Sequence, residues 1–250
     1  MTKSKDTKLE ARPYLREIAL LRDKVPSFEK YPFCVPVVKN LKTITFHPDV
    51  TFFIGENGTG KSTLMEAIAQ KLGYNAEGGN KNTNFSTRKT HSELHQFLRI
   101  TKSFKVPKDG YFLRAESFYN VASYMDDVGF LETYGGKSLH QQSHGESFLS
   151  LFSHKFRGNG LYLLDEPEAA LSPARQLTAL AYIHRLVKAD SQFIIATHSP
   201  ILMGYPNAQI YQFSAAGIEK IKYMETEHYK IAKDFLNRHD QMLKILLDDD

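Results

Sequence analysis

Short apolar runs alternate along this chain with stretches in which apolar residues recur at helical spacing. Residues 14–21 and 41–46 read as strands, and Val50–Ile54 is an apolar run that stops at Gly55. From Lys61 to Leu72 the apolar residues Leu64, Met65, Ile68, Ala69 and Leu72 share one helical face, and Gly73 supplies a stop. Residues 75–92 are polar and rich in Asn, Gly, Ser and Thr, which predicts a mobile loop. A short strand is expected at 111–116 and a helical or irregular piece at 117–142. Buried strands at 161–164 and 193–196 flank a helix over Pro173–Lys188, which Ser172 caps and Pro173 opens. Residues 210–213 and 218–223, separated by Ser-Ala-Ala-Gly, predict a hairpin. Glu227–Leu247 reads as an amphipathic helix broken near Asp240. Its stripe of Ala232, Phe235, Leu236 and Leu243 is expected to dock on the core. The acidic residues 248–250 are expected to be disordered.

Strands alternating with helices predict an α/β fold, a mostly parallel central sheet with an antiparallel β flank. The 250 residues suit one domain: strands and a Gly-rich loop over 1–80, a basic insert and short helical subdomain over 81–142, and the remainder over 143–250. At 42% hydrophobic and 24% charged, the composition is that of a globular protein with enough apolar material for a core. No run approaches the roughly 20 apolar residues of a membrane span. The first twelve residues carry charges of both signs with no apolar stretch behind them, unlike a signal peptide. Cys34 is the one cysteine, so no internal disulfide can form, and a cytoplasmic location is expected.

Charge changes the picture in one place. Residues 81–114 hold Lys81, Arg88, Lys89, Arg99, Lys102, Lys105, Lys108 and Arg114 against Glu93 and Asp109, which leaves the rest of the chain slightly acidic. Such a patch is either a solvated face or a surface for phosphate backbones, which makes nucleic acid a candidate partner.

The candidate chemistry begins where the third strand ends. Gly55, Glu56, Asn57, Gly58, Thr59, Gly60, Lys61, Ser62 and Thr63 fit the pattern G-x-x-x-x-G-K-[ST] between a strand and a helix. Glycines let successive N–H groups turn inward toward phosphate oxygens, and the helix adds its positive end. Lys61 supplies charge to the outer phosphates of ATP, and the Ser62 hydroxyl is placed to ligate a magnesium ion (Mg2+). The apolar residues 161–164 run into Asp165 and Glu166, which puts two carboxylates at the carboxyl edge of a parallel sheet. Asp165 is the second candidate metal ligand. Glu166 is the candidate catalytic group that orients or deprotonates water.

Family resemblance enters with three further segments. Ser143-His144-Gly145-Glu146 resembles the signature segment of ABC-class ATPases, with His144 and Glu146 departing from the usual Gly and Gln. Asp165-Glu166-Pro167 followed by Ala170-Leu171-Ser172 resembles the Walker B and D-loop run, and His198 is similar to the switch histidine. Within the class, residues 165–173 are most similar to the small stand-alone bacterial ABC-type ATPases related to the RecF/SMC/OLD branch. Ser172 stands where transporters carry the D-loop aspartate. The resemblance implies a P-loop NTPase fold, with Glu116 in the glutamine-loop role and His198 as γ-phosphate sensor. It also implies a nucleotide-dependent head-to-tail homodimer, in which Ser143 and Gly145 of one copy reach the ATP of the other. The short interval between Glu116 and Ser143 leaves little room for a transporter's helical subdomain.

The leading expectation is therefore a soluble ATP-hydrolysing switch that acts on an unidentified protein or nucleic-acid partner. A transporter nucleotide-binding subunit and an ATP-gated scaffold of negligible turnover stand as alternatives. His91 and His95, four apart, lack a third ligand and read as a polar helix face rather than a zinc site. Tyr31 and Phe33 read either as adenine-stacking aromatics or as a packed extended segment.

Overall fold

Strict alternation along five buried strands decides which residues enter which side of the molecule. The structure is a computed structural model and describes residues 12–81, 92–118, 123 and 144–248. Strands β3 (Val50–Ile54), β5 (Asp109–Arg114), β6 (Gly160–Asp165), β7 (Gln192–Ala196), β8 (Gln209–Ser214) and β9 (Gly217–Ile221) form one sheet in the order β5-β6-β7-β3-β8-β9. The first five in that order run parallel, and β9 returns antiparallel to β8 as a hairpin. Phe53, Phe112, Leu161, Leu163 and Ile194 enter one core, while Phe52, Tyr111, Tyr162, Leu164, Phe193 and Ile195 enter the other. Both faces are covered, so the strands read as continuous apolar runs rather than alternating ones.

Helix α2 (Lys61–Leu72) fills the first face with Leu64, Met65, Ile68 and Ala69, together with a three-stranded antiparallel sheet. That second sheet has the order β2-β1-β4, from β1 (Leu15–Leu20), β2 (Thr43–Thr45) and β4 (Leu98–Lys102). Gln192 ties it to the central sheet. Its amide accepts from Leu15 N (2.9 Å) and donates to the carbonyls of Leu15 (2.9 Å) and His47 (3.0 Å). The opposite face is closed by α3 (His144–Ser150), a π-type turn (Leu151–Lys155) and α4 (Pro173–Lys188). Ser172 caps α4 by accepting from Arg175 N, and Gly73 ends α2 at φ +88°.

Several expectations are corrected. The short helix α1 (Pro36–Asn40) was not foreseen, and the strand expected at 41–46 is confined to β2. Strand β4 was read only as part of a charged stretch. It is an edge strand whose Leu98 is buried while Arg99 pairs with Glu17 at 3.6 Å. The strand expected at 111–116 begins and ends two residues earlier, as β5. In helix α6 (Glu227–Leu247) the break falls at Arg238 rather than Asp240, and no residue of the helix is buried. Phe235, Leu236 and Leu243 are exposed, so this stripe does not dock on the core. A four-residue helix α5 (Pro200–Met203) links β7 to β8. Among the described residues no helix is long and apolar enough to cross a membrane.

Candidate functional site

Parallel register brings the carboxyl ends of four strands to one edge. Arg114 lies beside Asp165, Asp165 beside Ala196, and Ala196 beside Phe53, so the segments that follow these positions converge. This is where ligands of open α/β sheets bind.

The loop after β3 turns on glycines with positive φ: Gly55 (+142°), Gly58 (+80°) and Gly60 (+100°). At two of them space forbids a side chain as well. A Cβ on Gly55 would meet the Phe213 carbonyl oxygen at 2.3 Å, and one on Gly60 would meet Val35 Cγ1 at 2.8 Å. Lys61 is the first residue of α2, and its ammonium donates to the Gly55 (2.7 Å) and Glu56 (3.0 Å) carbonyls. Thr59 Oγ1 likewise donates to Glu56 O at 2.8 Å. Burial lowers the pKa of Lys61, against the carboxylates of Glu166, Asp165 and Glu168. A cleft of about 450 Å³ beside the loop is lined by residues 55–59, residues 212–215, Glu227 and His228.

Asp165, the last residue of β6, is only 5% exposed. Its Oδ1 receives the Ser62 hydroxyl at 3.1 Å, and its Oδ2 stands 3.7 Å from Arg114 Nε. Burial pushes its pKa up to about 6, against the lowering influence of Arg114 and the Ser62 bond. A buried carboxylate facing a hydroxyl, with too little compensation to hold its charge comfortably, is a donor set that fits a hard cation such as magnesium.

Glu166 is held at φ +53°, ψ +50°, a conformation uncommon for a side chain of this size, while its N–H donates to Ala196 O at 2.9 Å. Such backbone costs on the order of 1–3 kcal/mol and persists where neighbours enforce it. The turn carries its carboxylate to 3.8 Å from His198 Nε2, a buried atom with no hydrogen-bond partner among the described residues. Burial and Lys61 lower the His198 pKa, against Glu166, so the ring is neutral at neutral pH.

Three residues at this edge escaped the sequence reading. Glu168 accepts the backbone N–H of His198 and, at 2.7 Å, the Thr197 hydroxyl. Arg114, counted as part of the basic stretch, belongs here instead. It pairs with Glu66 (3.1 Å), Glu116 (3.3 Å) and Asp165 (3.7 Å) and is largely buried. His228, from the first turn of α6, reaches His198 Nδ1 at 3.4 Å. Arg114 carried a signal in its position at the end of a buried strand; Glu168 and His228 carried none.

The remaining expected residues divide. Glu116 follows β5 as predicted, but its side chain is 86% exposed and turned to Arg114. Gly145, at the start of α3, is buried so tightly that a Cβ would lie 2.9 Å from Ala170 O, and Glu146 pairs with Arg175 at 3.3 Å. Gly145 and Glu146 thus pack on the stretch that follows Glu166. Ser143 lies outside the described residues, as do His91, Arg88 and Lys89. Of the two aromatics, Phe33 is buried edge-on against Phe97 and Tyr31 is exposed, so Phe33 is core.

A family described as AAA domain matches residues 28–134. Ribose import ATP-binding proteins RbsA from two strains of Bacillus cereus are 26% identical over 192 residues, covering 65% of this chain. The chain spans 37% of the length of these relatives. Among solved structures, the SMC head domain from Thermotoga maritima aligns at a TM-score of 0.47 and 16% identity, covering 84% of this chain and 100% of that one. An ATP-binding cassette of an ABC transporter in its ADP conformation aligns at 0.45 and 16%, covering 94% and 99%.

Proposed function

We propose that this chain, whose motif order resembles that of ABC-class P-loop ATPases, binds ATP at the carboxyl edge of its sheet and hydrolyses it to drive a conformational switch. The observation that supports this best is the convergence of Lys61, the Ser62–Asp165 pair and the Glu166–His198 pair on one edge.

In this reading Lys61 exchanges its two loop carbonyls for outer phosphate oxygens, and the N–H groups of residues 55–63 cradle the rest. Ser62 and Asp165 would hold magnesium, which would supply positive charge against the triphosphate. Glu166 orients the attacking water and takes its proton as the water oxygen bonds to the γ-phosphorus and the bond to the bridging oxygen breaks. His198 offers its Nε2, which has no partner among the described residues, to a γ-phosphate oxygen. The whole chain acts as one ATPase domain, with Glu116 in the glutamine-loop role. A second copy, docked head to tail, presents Ser143 and Gly145 to the nucleotide. The partner that receives the stroke is a protein or a nucleic acid at the basic surface around Lys81, Lys102 and Lys108.

The test is phosphate release together with light scattering. The wild type is expected to turn over ATP, Lys61→Ala to lose nucleotide affinity by calorimetry, and Glu166→Gln to bind ATP, release no phosphate and accumulate as a dimer. A Glu166→Gln protein that hydrolyses at the wild-type rate overturns the assignment. The name of the Bacillus relatives favours a second reading, a subunit of an importer. Co-purification with a membrane protein would support it.

A further inference from the structure

His198 is gripped on three sides, and two of them belong to the acidic turn after β6. Glu168 fixes its backbone N–H, Glu166 faces Nε2, and the third side is closed by His228, whose Nε2 lies 3.4 Å from His198 Nδ1 with ring centroids 5.6 Å apart.

The placement of His228 is built rather than incidental. Thr226, fully buried, caps α6 by accepting from Tyr229 N (3.2 Å) and donates its own hydroxyl to Tyr223 O (2.7 Å). The Tyr223 hydroxyl in turn donates to Pro200 O at 2.8 Å, two residues beyond His198. Ser199 caps α5 from the same segment by accepting from Ile201 N and Leu202 N. The first turn of α6 is thereby anchored to the chain that carries His198, although the helix beyond it buries nothing.

Two neutral imidazoles in contact must be one donor and one acceptor. Glu166 presents an acceptor-only carboxylate toward His198 Nε2, which favours the tautomer with its proton on that nitrogen. Nδ1 is then an acceptor, and His228 Nε2 is the matching donor. We propose that His228 is a positioning residue that donates its Nε2–H to His198 Nδ1. It thereby holds the switch ring in the one tautomer able to donate from Nε2 to a γ-phosphate oxygen. A ring nitrogen's role is set by the bond that the other nitrogen makes. The inference rests on the hydrolytic reading above for its consequence, but its structural core is independent of turnover.

Two measurements on the full chain test it. In imidazole nitrogen NMR of the nucleotide-free protein, His198 is expected to carry its proton on Nε2 in wild type and in His228→Gln, whose amide N–H can occupy the same place. In His228→Phe a mixture of tautomers is expected. In steady-state phosphate release, His228→Phe is expected to lower kcat several-fold, in step with the fraction of His198 left in the other tautomer, with KM for ATP within about twofold. His228→Gln recovers most of the loss. Added to His198→Ala, His228→Phe should cost nothing further, because it acts through that ring. An unchanged His198 tautomer in His228→Phe overturns the proposal. So does a Gln variant as impaired as Phe, or losses that multiply in the double variant. A wild type with the predicted tautomer and no phosphate release sinks the hydrolytic reading alone.

Discussion

The carboxylate of Glu168 bridges two successive positions after β7, taking the Thr197 hydroxyl at 2.7 Å on one oxygen and the His198 backbone N–H on the other. It therefore fixes the strand exit that aims His198, acting through the backbone rather than the imidazole ring. Burial raises its pKa, partly offset by these two bonds. Glu168→Gln keeps an acceptor for one of them only, so it is expected to lose about 1–3 kcal/mol. Glu168→Ala strands both donors and should lose about twice as much. At about 2–4 °C per kcal/mol for a chain of this size, thermal scans should separate the two variants by several degrees.

Asp165 makes the free protein less stable than it needs to be. Its folded pKa, about 6, lies above the 3.8 of an ordinary aspartate, so its contribution to stability is fully present below the unfolded value and is lost as pH rises through about 6. Asp165→Asn, which can still accept from Ser62, is expected to exceed the wild type by roughly 1–3 kcal/mol at pH 8. The advantage should vanish near pH 4. Urea denaturation at the two pH values, without nucleotide or magnesium, measures this. Added magnesium with nucleotide should then stabilise the wild type more than the variant, which keeps the phosphate loop but loses one metal ligand.

Among the described residues Arg114 pairs with Glu66, Asp165 and Glu116, and the first two are largely buried. Breaking a buried pair from one side leaves an uncompensated charge, so Arg114→Ala is expected to cost about 3–5 kcal/mol. Glu116→Ala should cost under about 0.5 kcal/mol because that side chain is exposed. Denaturant midpoints report both. A fall in turnover in Glu116→Ala at unchanged stability would then speak for the glutamine-loop role.

The parts of the site that are legible in sequence are those whose geometry is local. The phosphate loop is specified by glycines at fixed spacing. Asp165 and Glu166 are marked by the apolar run before them, and His198 by the strand it follows. Both sides of the central sheet are covered, so its buried strands stand out as unbroken apolar stretches. What was hidden depends on distant partners. Strand β4 exposes its charged residues at an edge and so resembled a solvated stretch. Arg114 looked like one more member of that stretch until β5 and β6 were placed side by side. Glu168 is an ordinary acid after Walker B-like residues until Thr197 and His198 arrive above it. His228 sits 30 residues from His198 on a helix whose apolar stripe, read as core, is exposed.

Gly145 offers the sharpest probe of the signature segment. Its absent side chain lets α3 close on the turn after Glu166, where a Cβ would sit 2.9 Å from the Ala170 carbonyl and 2.3 Å from Arg175 Nη1. The arginine head can swing aside, but a backbone carbonyl in a tight turn cannot. Gly145→Ala must therefore push α3 outward, at about 1–3 kcal/mol by the usual cost of overpacking. If the segment serves only its own copy, the damage ends there and ATP-dependent association of Glu166→Gln survives the added substitution. The head-to-tail arrangement predicts otherwise. Moving Gly145 also moves the surface offered to the neighbouring nucleotide, so light scattering of the double variant should show monomer with ATP while calorimetry still finds the nucleotide bound.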